Sequence, residues 1–301
     1  MTITNPAINI SQRQLWLAAI KPPMYTVAII PITFGAGLAY YETGIFDGVI
    51  LTVFLFSALA IIAWLNLTND VFDADTGIDV NKAHSVVNLT GKKNLVFWIA
   101  NIFLLLGLGG IFLINWWQED ITVFLIILAS CFLGYTYQGP PFRLGYQGLG
   151  ELICLPTFGP MAVGASYYSQ TQSFSTNSLL VSSLIGVSTA IILFCSHFHQ
   201  VEDDLKAGKK SPIVRLGTAK GALFLMVSVI IFYLLVSLFC LWGMLPLTCF
   251  GVFLTIPVAY QLVNHVNQYH AQPDKVKNCK FIAVNFHFLT GMVMGAGLFL
   301  G

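Results

Sequence analysis

The sequence predicts an all-α, multi-pass membrane protein, and three observations carry that prediction. Of its 301 residues 56% are hydrophobic and only 9% charged, whereas soluble domains carry about 25% charge. Apolar stretches near the length that crosses a hydrocarbon core as a helix, about 20 residues, recur nine times. The basic residues all fall in alternate connections between those stretches.

The chain reads as one domain over 1–301, with nine spans at 22–41, 46–67, 94–115, 121–138, 150–169, 178–198, 219–241, 244–264 and 281–300. Residues 1–14 form a polar tail. They lack a basic region leading into a short apolar core and a cleavage site, so they do not read as a signal peptide. Gln14 to Ile20 suits a short amphipathic helix on the membrane surface. Pro22, Pro23 and Pro31 fall at or within the first span and predict a kink. The second span runs directly into Asn66-Leu-Thr-Asn-Asp-Val-Phe-Asp-Ala-Asp-Thr-Gly-Ile-Asp79, the most acid-rich stretch of the chain. If its helix continues through Asp73, then Asn66, Asn69, Asp70 and Asp73 share one face, because positions three and four apart are neighbours. Gly77 is placed to end it. The fourth span ends in Tyr135 and Tyr137 and gives way to a Gly- and Pro-rich loop whose sole base is Arg143. The sixth span runs into a second acid–base cluster, His197 to Arg215, which echoes the end of the second span.

Charge placement orients the chain. Arg13 and Lys21 precede span one; Lys82, Lys92 and Lys93 separate spans two and three; Arg143 follows span four. Lys206, Lys209, Lys210, Arg215 and Lys220 follow span six, and Lys275, Lys277 and Lys280 precede span nine. The opposite connections hold Glu42, Asp47, Glu119 and Asp120 and no base, which puts the N-terminus on the cytoplasmic side. There is no basic stripe for nucleic acid. The six cysteines lie in or beside apolar runs without paired spacing and read as buried small hydrophobes.

Three segments on the basic side carry chemistry. Carboxylates stacked at a membrane helix end call for cations, and oxygen ligands suit a hard ion such as Mg²⁺, which keeps positions open for phosphate oxygens. A solvated acidic loop or an N-cap at Asp70 is the plainer alternative. In the second cluster Gln200 and Asp204, and Glu202 and Lys206, stand four apart, so a continuing helix would alternate acid, amide and base. Carboxylates there suit metal and lysines suit phosphate; the alternative is an ordinary basic loop with internal ion pairs. His197 and His199, two apart, face different sides of a helix and read as hydrogen-bonding groups rather than a zinc pair. In the third segment Tyr135 and Tyr137 beside Arg143 suit ionisation of an allylic diphosphate, the base taking the leaving group and the ring faces the carbocation. An interfacial aromatic belt would look the same.

Together these segments resemble the UbiA-type superfamily of intramembrane prenyltransferases. The resemblance implies nine transmembrane helices around a central cavity, with cytoplasmic loops capping the active site. Asn69-Asp70-x-x-Asp73 with Asp79 is similar to the first acidic motif, in the longer spacing of the naphthoate branch. The second motif departs from the pattern: Gln200 stands where an Asp usually precedes Asp204 by four residues. Tyr135-Thr-x-x-Gly-Pro-Pro, Gly148-Leu-Gly-Glu and Lys206-Ala-Gly-Lys resemble the 1,4-dihydroxy-2-naphthoate prenyltransferases. His197-Phe-His-Gln-Val-Glu-Asp-Asp and Ser211-Pro-x-Val-Arg-Leu-Gly-Thr most resemble the phytyl-transferring members of cyanobacteria and plastids. The likeness is good over residues 60–220.

The resemblance implies Mg²⁺ held by Asn66, Asn69, Asp70, Asp73 and Asp79 on one loop and Glu202, Asp203 and Asp204 on the other. Lys82, Arg143, Lys206 and Lys209 would bind the diphosphate, with Tyr135, Tyr137 and Arg143 catalytic. The implied partners are prenyl (phytyl) diphosphate, 1,4-dihydroxy-2-naphthoate with loss of CO₂, and membrane lipid, in a cyanobacterial plasma or thylakoid membrane. Homogentisate, 4-hydroxybenzoate and a chlorophyll precursor are the other acceptors of such enzymes. A cation or organic-anion transporter also places acids in a membrane, but here they sit at helix ends and none lies mid-span. A head-group transferase would carry one compact acidic motif with glycines and an Arg, which is missing.

Overall fold

The computed structural model describes residues 12–77 and 85–301. Among them each of the nine apolar stretches is helical, and seven helices are long and apolar enough to cross a membrane. A first helix, α1 (Gln12–Ile20), is followed by a 3-10 turn at Pro22–Tyr25 and then by α2 (Thr26–Thr43). The prolines suit that entry because a first turn needs no amide donor. α3 (Gly48–Thr76) starts at Asp47, whose carboxylate accepts the Val49 and Ile50 amides, and ends at Gly77 with φ 73°. As the spacing predicts, the acid-rich stretch through Asp75 is part of this helix.

α4 (Lys93–Gln118) and α5 (Thr122–Gln138) complete the first half. α5, at 17 residues, is shorter than any of the seven spanning helices. The fifth span departs from the expectation of one continuous helix: α6 runs Gly150–Pro156, passes through a π-helical turn at Thr157–Met161, and resumes as Ala162–Thr171. Pro156 and Pro160 lack the amide donors a regular helix needs there, and Gly159 takes φ −85°, ψ −106°, outside the helical region. α7 (Thr176–Ser196) has the length expected of the sixth span but lies two residues earlier. It stops before the second cluster, turns at 197–200, and gives way to a separate α8 (Val201–Lys206). α9 (Thr218–Leu241), α10 (Leu247–Tyr269, 3-10 over Leu247–Thr255) and α11 (Cys279–Leu300) close the bundle.

Lipid is as apolar as the side chains, so close packing and interhelical hydrogen bonds have to hold such a bundle. A Cβ at Gly35 of α2 would stand 2.5 Å from the Val163 carbonyl of α6, so only glycine permits that approach. Next to it Ser166 Oγ donates to the Ile32 carbonyl at 2.6 Å. One core joins α2 to α7, α9, α10 and α11 through Phe34, Leu184, Phe232, Val252 and Phe286, and another joins α3, α4 and α5 through Phe54, Trp64, Ile111 and Ile127. α2 and α6 contribute to both and form the seam. At the end of α6, Tyr167 donates to Glu42 at 2.7 Å, Tyr168 to Asp120 at 2.7 Å, and Gln170 accepts the Asp47 amide at 2.6 Å. Those hydroxyl and amide partners answer the acids on the side that has no base. All six cysteines are buried and free.

Candidate active site

At the basic end of the bundle, where α3 leaves its apolar run, a cavity of about 790 Å³ opens. Asn66 and Asn69 of α3 line it, with Tyr137 of α5, Cys154 of α6, and His199 and Gln200 of the turn after α7. Three lysines complete its wall: Lys21 ahead of α2, and Lys277 and Lys280 at the start of α11. Deeper, the lining is apolar, with Ile62, Leu65, Phe158, Ile192 and Leu193.

The carboxylates sit just behind these walls. Asp70 is 1% exposed; its Oδ1 takes Lys21 Nζ at 3.1 Å and its Oδ2 accepts the Val86 amide at 2.9 Å. Asp73, one turn on, is also buried, while Asp75 pairs with Lys93 outside. From the second cluster, Asp204 is fully buried between His197 Nδ1 and Lys209 Nζ, each at 3.4 Å, and His197 Nε2 lies 3.4 Å from Glu151 of α6. At that length these are charge contacts rather than aligned hydrogen bonds. Burial works to push His197 down, but the Asp204 and Glu151 carboxylates override it and hold the imidazole above its ordinary value. For Asp204 burial works upward, and His197 with the Lys209 ammonium outweighs it and holds the carboxyl low.

The middle loop ties the two acidic segments together. Tyr146 shares a 2.6 Å hydrogen bond with Thr76 at the end of α3, and its carbonyl accepts the Lys210 amide at 2.7 Å. Its ring also lies 5.8 Å from the Lys209 ammonium. Asp73, Glu151 and Asp204, one from each segment, all come near enough to Tyr137 to act on it electrostatically. Three distant parts of the sequence thus come together around Tyr137 at the cavity wall.

Not every expected residue reaches this place. Tyr135 donates to the Pro140 carbonyl at 2.7 Å and lies edge-on to Phe72, away from the cavity lining. Arg143, at φ 43°, is off the lining as well. On α8 the residues Glu202, Asp203 and Lys206 are exposed and only Asp204 is buried, because one face of this short helix packs inward. Lys209 is buried against Asp204 rather than facing the cavity. Asp79 and Lys82 lie outside the described residues. Conversely, sequence reasoning does not single out Lys21, Lys277, Lys280 or Glu151 for the site. The lysines look like any base of a positive-inside loop, while the motif position of Gln200 is a usable signal for its place at the wall.

Among the described residues no three His, Cys, Asp or Glu side chains converge closely enough to hold one metal ion. The donors nonetheless fit a hard divalent cation in kind. Asn66, Asn69, Asp70 and Asp73 offer oxygen ligands on one helix face. Both carboxylate oxygens of Glu151 and of Asp204 are buried with no hydrogen-bond partner, a state that burial makes costly.

The two tyrosines should respond differently to mutation. Tyr135→Phe removes one loop hydrogen bond and is expected to cost about 1 kcal/mol of stability. Tyr137→Leu removes the aromatic face at the cavity wall and is expected to lower turnover about tenfold with little change in melting temperature. Steady-state rates and thermal melts of the two variants in detergent check this, and equal rate losses would remove the distinction.

Comparison with known proteins agrees with this geometry. The UbiA prenyltransferase family matches residues 28–289. The chain is 62% identical over 292 residues to a 2-carboxy-1,4-naphthoquinone phytyltransferase of Synechocystis sp., covering 97% of this chain and 95% of that one. It is 42% identical over 298 residues to the chloroplastic 2-carboxy-1,4-naphthoquinone phytyltransferase of Arabidopsis thaliana, covering 96% and 78%. The solved structure of a UbiA homolog from Archaeoglobus fulgidus bound to GPP and Mg²⁺ shares the fold at a TM-score of 0.61 and 15% identity, over 94% of this chain and 99% of that one. With the family matched over residues 28–289, most of the chain, this membrane protein belongs to the UbiA prenyltransferase family.

Proposed function

We propose that the protein transfers a phytyl group from phytyl diphosphate to 1,4-dihydroxy-2-naphthoate with loss of CO₂, using Mg²⁺, in phylloquinone or menaquinone biosynthesis. The observation that carries the reading is the cavity itself. It is amide- and lysine-lined at the mouth, backed by carboxylates of three segments, and apolar below. A diphosphate with a hydrocarbon tail has the same division. The two phytyltransferases at 62% and 42% identity support the choice of tail and acceptor class.

When bound, Mg²⁺ supplies positive charge to the diphosphate oxygens and eases departure of the leaving group. Asn66, Asn69, Asp70, Asp73 and Asp204 are the residues to hold it, with Asp79 beyond the described residues. Lys21, Lys277 and Lys280 at the mouth answer the remaining anionic oxygens. As the donor C1–O bond breaks, its electron pair leaves with diphosphate, and the Tyr137 ring on the cavity wall would stabilise the allylic cation left behind. The apolar walls keep water from that cation. The acceptor's carboxylate-bearing ring carbon forms the new bond to C1, and the bond to the carboxylate breaks to release CO₂. Only an electron-rich ring attacks a cation, so the hydroquinone form of the acceptor, not the quinone, is the nucleophile. The basic connections put this end of the bundle, and the N-terminus, in the cytoplasm.

Purified protein given phytyl diphosphate and 1,4-dihydroxy-2-naphthoate should release CO₂ and a prenylated naphthalenoid, and EDTA should stop it. Folded protein that prenylates homogentisate but never the naphthoate would overturn the acceptor, and no product with any aromatic acceptor would overturn the reaction.

A further inference from the structure

Beneath the cavity lies a second void of about 90 Å³, lined by apolar side chains of α2, α3 and α5 and by the break in α6. Its position follows from one stripe of α3. Asn66, Ile62, Ala58 and Phe54 are four apart and share a face. Asn66 lines the cavity, Ile62 both chambers, and Ala58 and Phe54 the void. α5 repeats the descent: Gly134 lines both chambers, and Cys131 and Ile127 only the lower one. At about 1.5 Å per residue, Phe54 stands roughly 18 Å from Asn66 along the helix axis. The void therefore lies on the line that leads from the polar mouth into the membrane.

The partition between the chambers is thin. Ile62, Leu65, Gly134, Thr157 and Phe158 line both. A Cβ at Gly134 would come 2.8 Å from Leu65 Cδ2, so at that point a leucine tip rests against bare backbone. Thr157 and Phe158 belong to the π-helical turn of α6, a kind of irregularity that recurs at functional sites. Movable side-chain ends, not a regular helix wall, separate the spaces. The far end is closed by Phe54, 1% exposed, and Ile127, 6% exposed. Apolar side chains around such a void lack contacts that a hydrocarbon would restore.

We infer that this void is the terminal compartment for the donor's hydrocarbon tail, and that Cys131, Ile127 and Phe54 set the longest tail the enzyme accepts. The inference rests on prenyl transfer as proposed above. Leu65 and Phe158 turn aside as the tail enters, and Cys131, a small buried side chain, leaves the room that a larger one would fill.

The test compares kcat/KM for phytyl and geranyl diphosphates with the same naphthoate acceptor. Filling the void with Cys131→Phe is expected to lower the phytyl-to-geranyl ratio about tenfold or more, since pocket contacts discriminate at that scale. Cys131→Leu, which adds less volume, is expected to lower it in the same direction and serves if the phenylalanine variant does not fold. Ile127→Ala, which deepens the void, is expected to raise the ratio for donors one isoprene longer than phytyl. Ratios that stay at the wild-type value in the folded variants overturn the inference while leaving prenyl transfer intact. A wild-type protein that makes no product from either donor sinks the reaction itself.

Discussion

Asp70→Asn and Asp73→Asn are each expected to lower kcat by about 10²-fold or more, the scale on which removal of one electrostatic partner of a developing charge is felt. Asparagine is the informative replacement. Asp70 accepts from both Lys21 and the Val86 amide while almost wholly buried, so alanine would strand two donors and confuse misfolding with lost chemistry. The amide keeps an acceptor in place and removes the charge a cation needs. Residual activity in either variant should require more Mg²⁺ than the wild type, because a neutral oxygen is the poorer ligand. Turnover against Mg²⁺ concentration, together with thermal melts in the same detergent, separates these effects. Wild-type rates in both variants would refute their part in metal binding.

The second large effect is on stability and falls on Asp204. With the carboxylate fully buried between His197 and Lys209, themselves 3% and 6% exposed, Asp204→Ala leaves buried cations unanswered. It is expected to cost about 3–5 kcal/mol. The pH dependence follows from the two shifts. His197 is held above its ordinary 6.5, so its contribution is complete below 6.5 and is lost as pH rises through the folded value. Asp204 is held below its ordinary 3.8, so its contribution is complete above 3.8 and is lost as pH falls through the folded value. The wild-type advantage over Asp204→Asn should be largest between those values and shrink as pH rises past 6.5. Melting temperatures of both proteins across that range measure it, and a constant gap would show that His197 does not change protonation within it.

Much of the architecture is legible in the order of residues alone. Composition, nine apolar stretches and the one-sided bases determine an all-helical membrane protein, because the bilayer demands fixed helix lengths and internally satisfied backbones. The face of α3 bearing Asn66, Asn69, Asp70 and Asp73, and its end at Gly77, follow from helical spacing and from glycine's freedom at positive φ. So do the free, buried cysteines from their scattered apolar settings. Where the local pattern is ambiguous, spacing is not enough. Helical spacing sets Glu202 and Lys206 on one face of the second cluster and Asp204 on the other, but not which of the two faces the bundle; packing buries Asp204 and leaves Glu202 and Lys206 exposed. Pro156 and Pro160 stand in plain view, yet the break they make in α6 depends on Gly159 finding room against α7.

From residue order alone come the lipid environment, the helices and the kind of chemistry at their basic ends, since all of these depend on neighbours along the chain. Tertiary structure alone decided which groups face one another. It turned Tyr137 to the cavity and Tyr135 to a loop carbonyl, set Lys21 on Asp70 from 49 residues away, and gave Asp204 to His197 and Lys209. It also brought Lys277 and Lys280 from the far end of the chain to the cavity mouth. The physical reason is that charge pairing and cavity shape depend on distance through space, which helix packing sets and sequence separation does not.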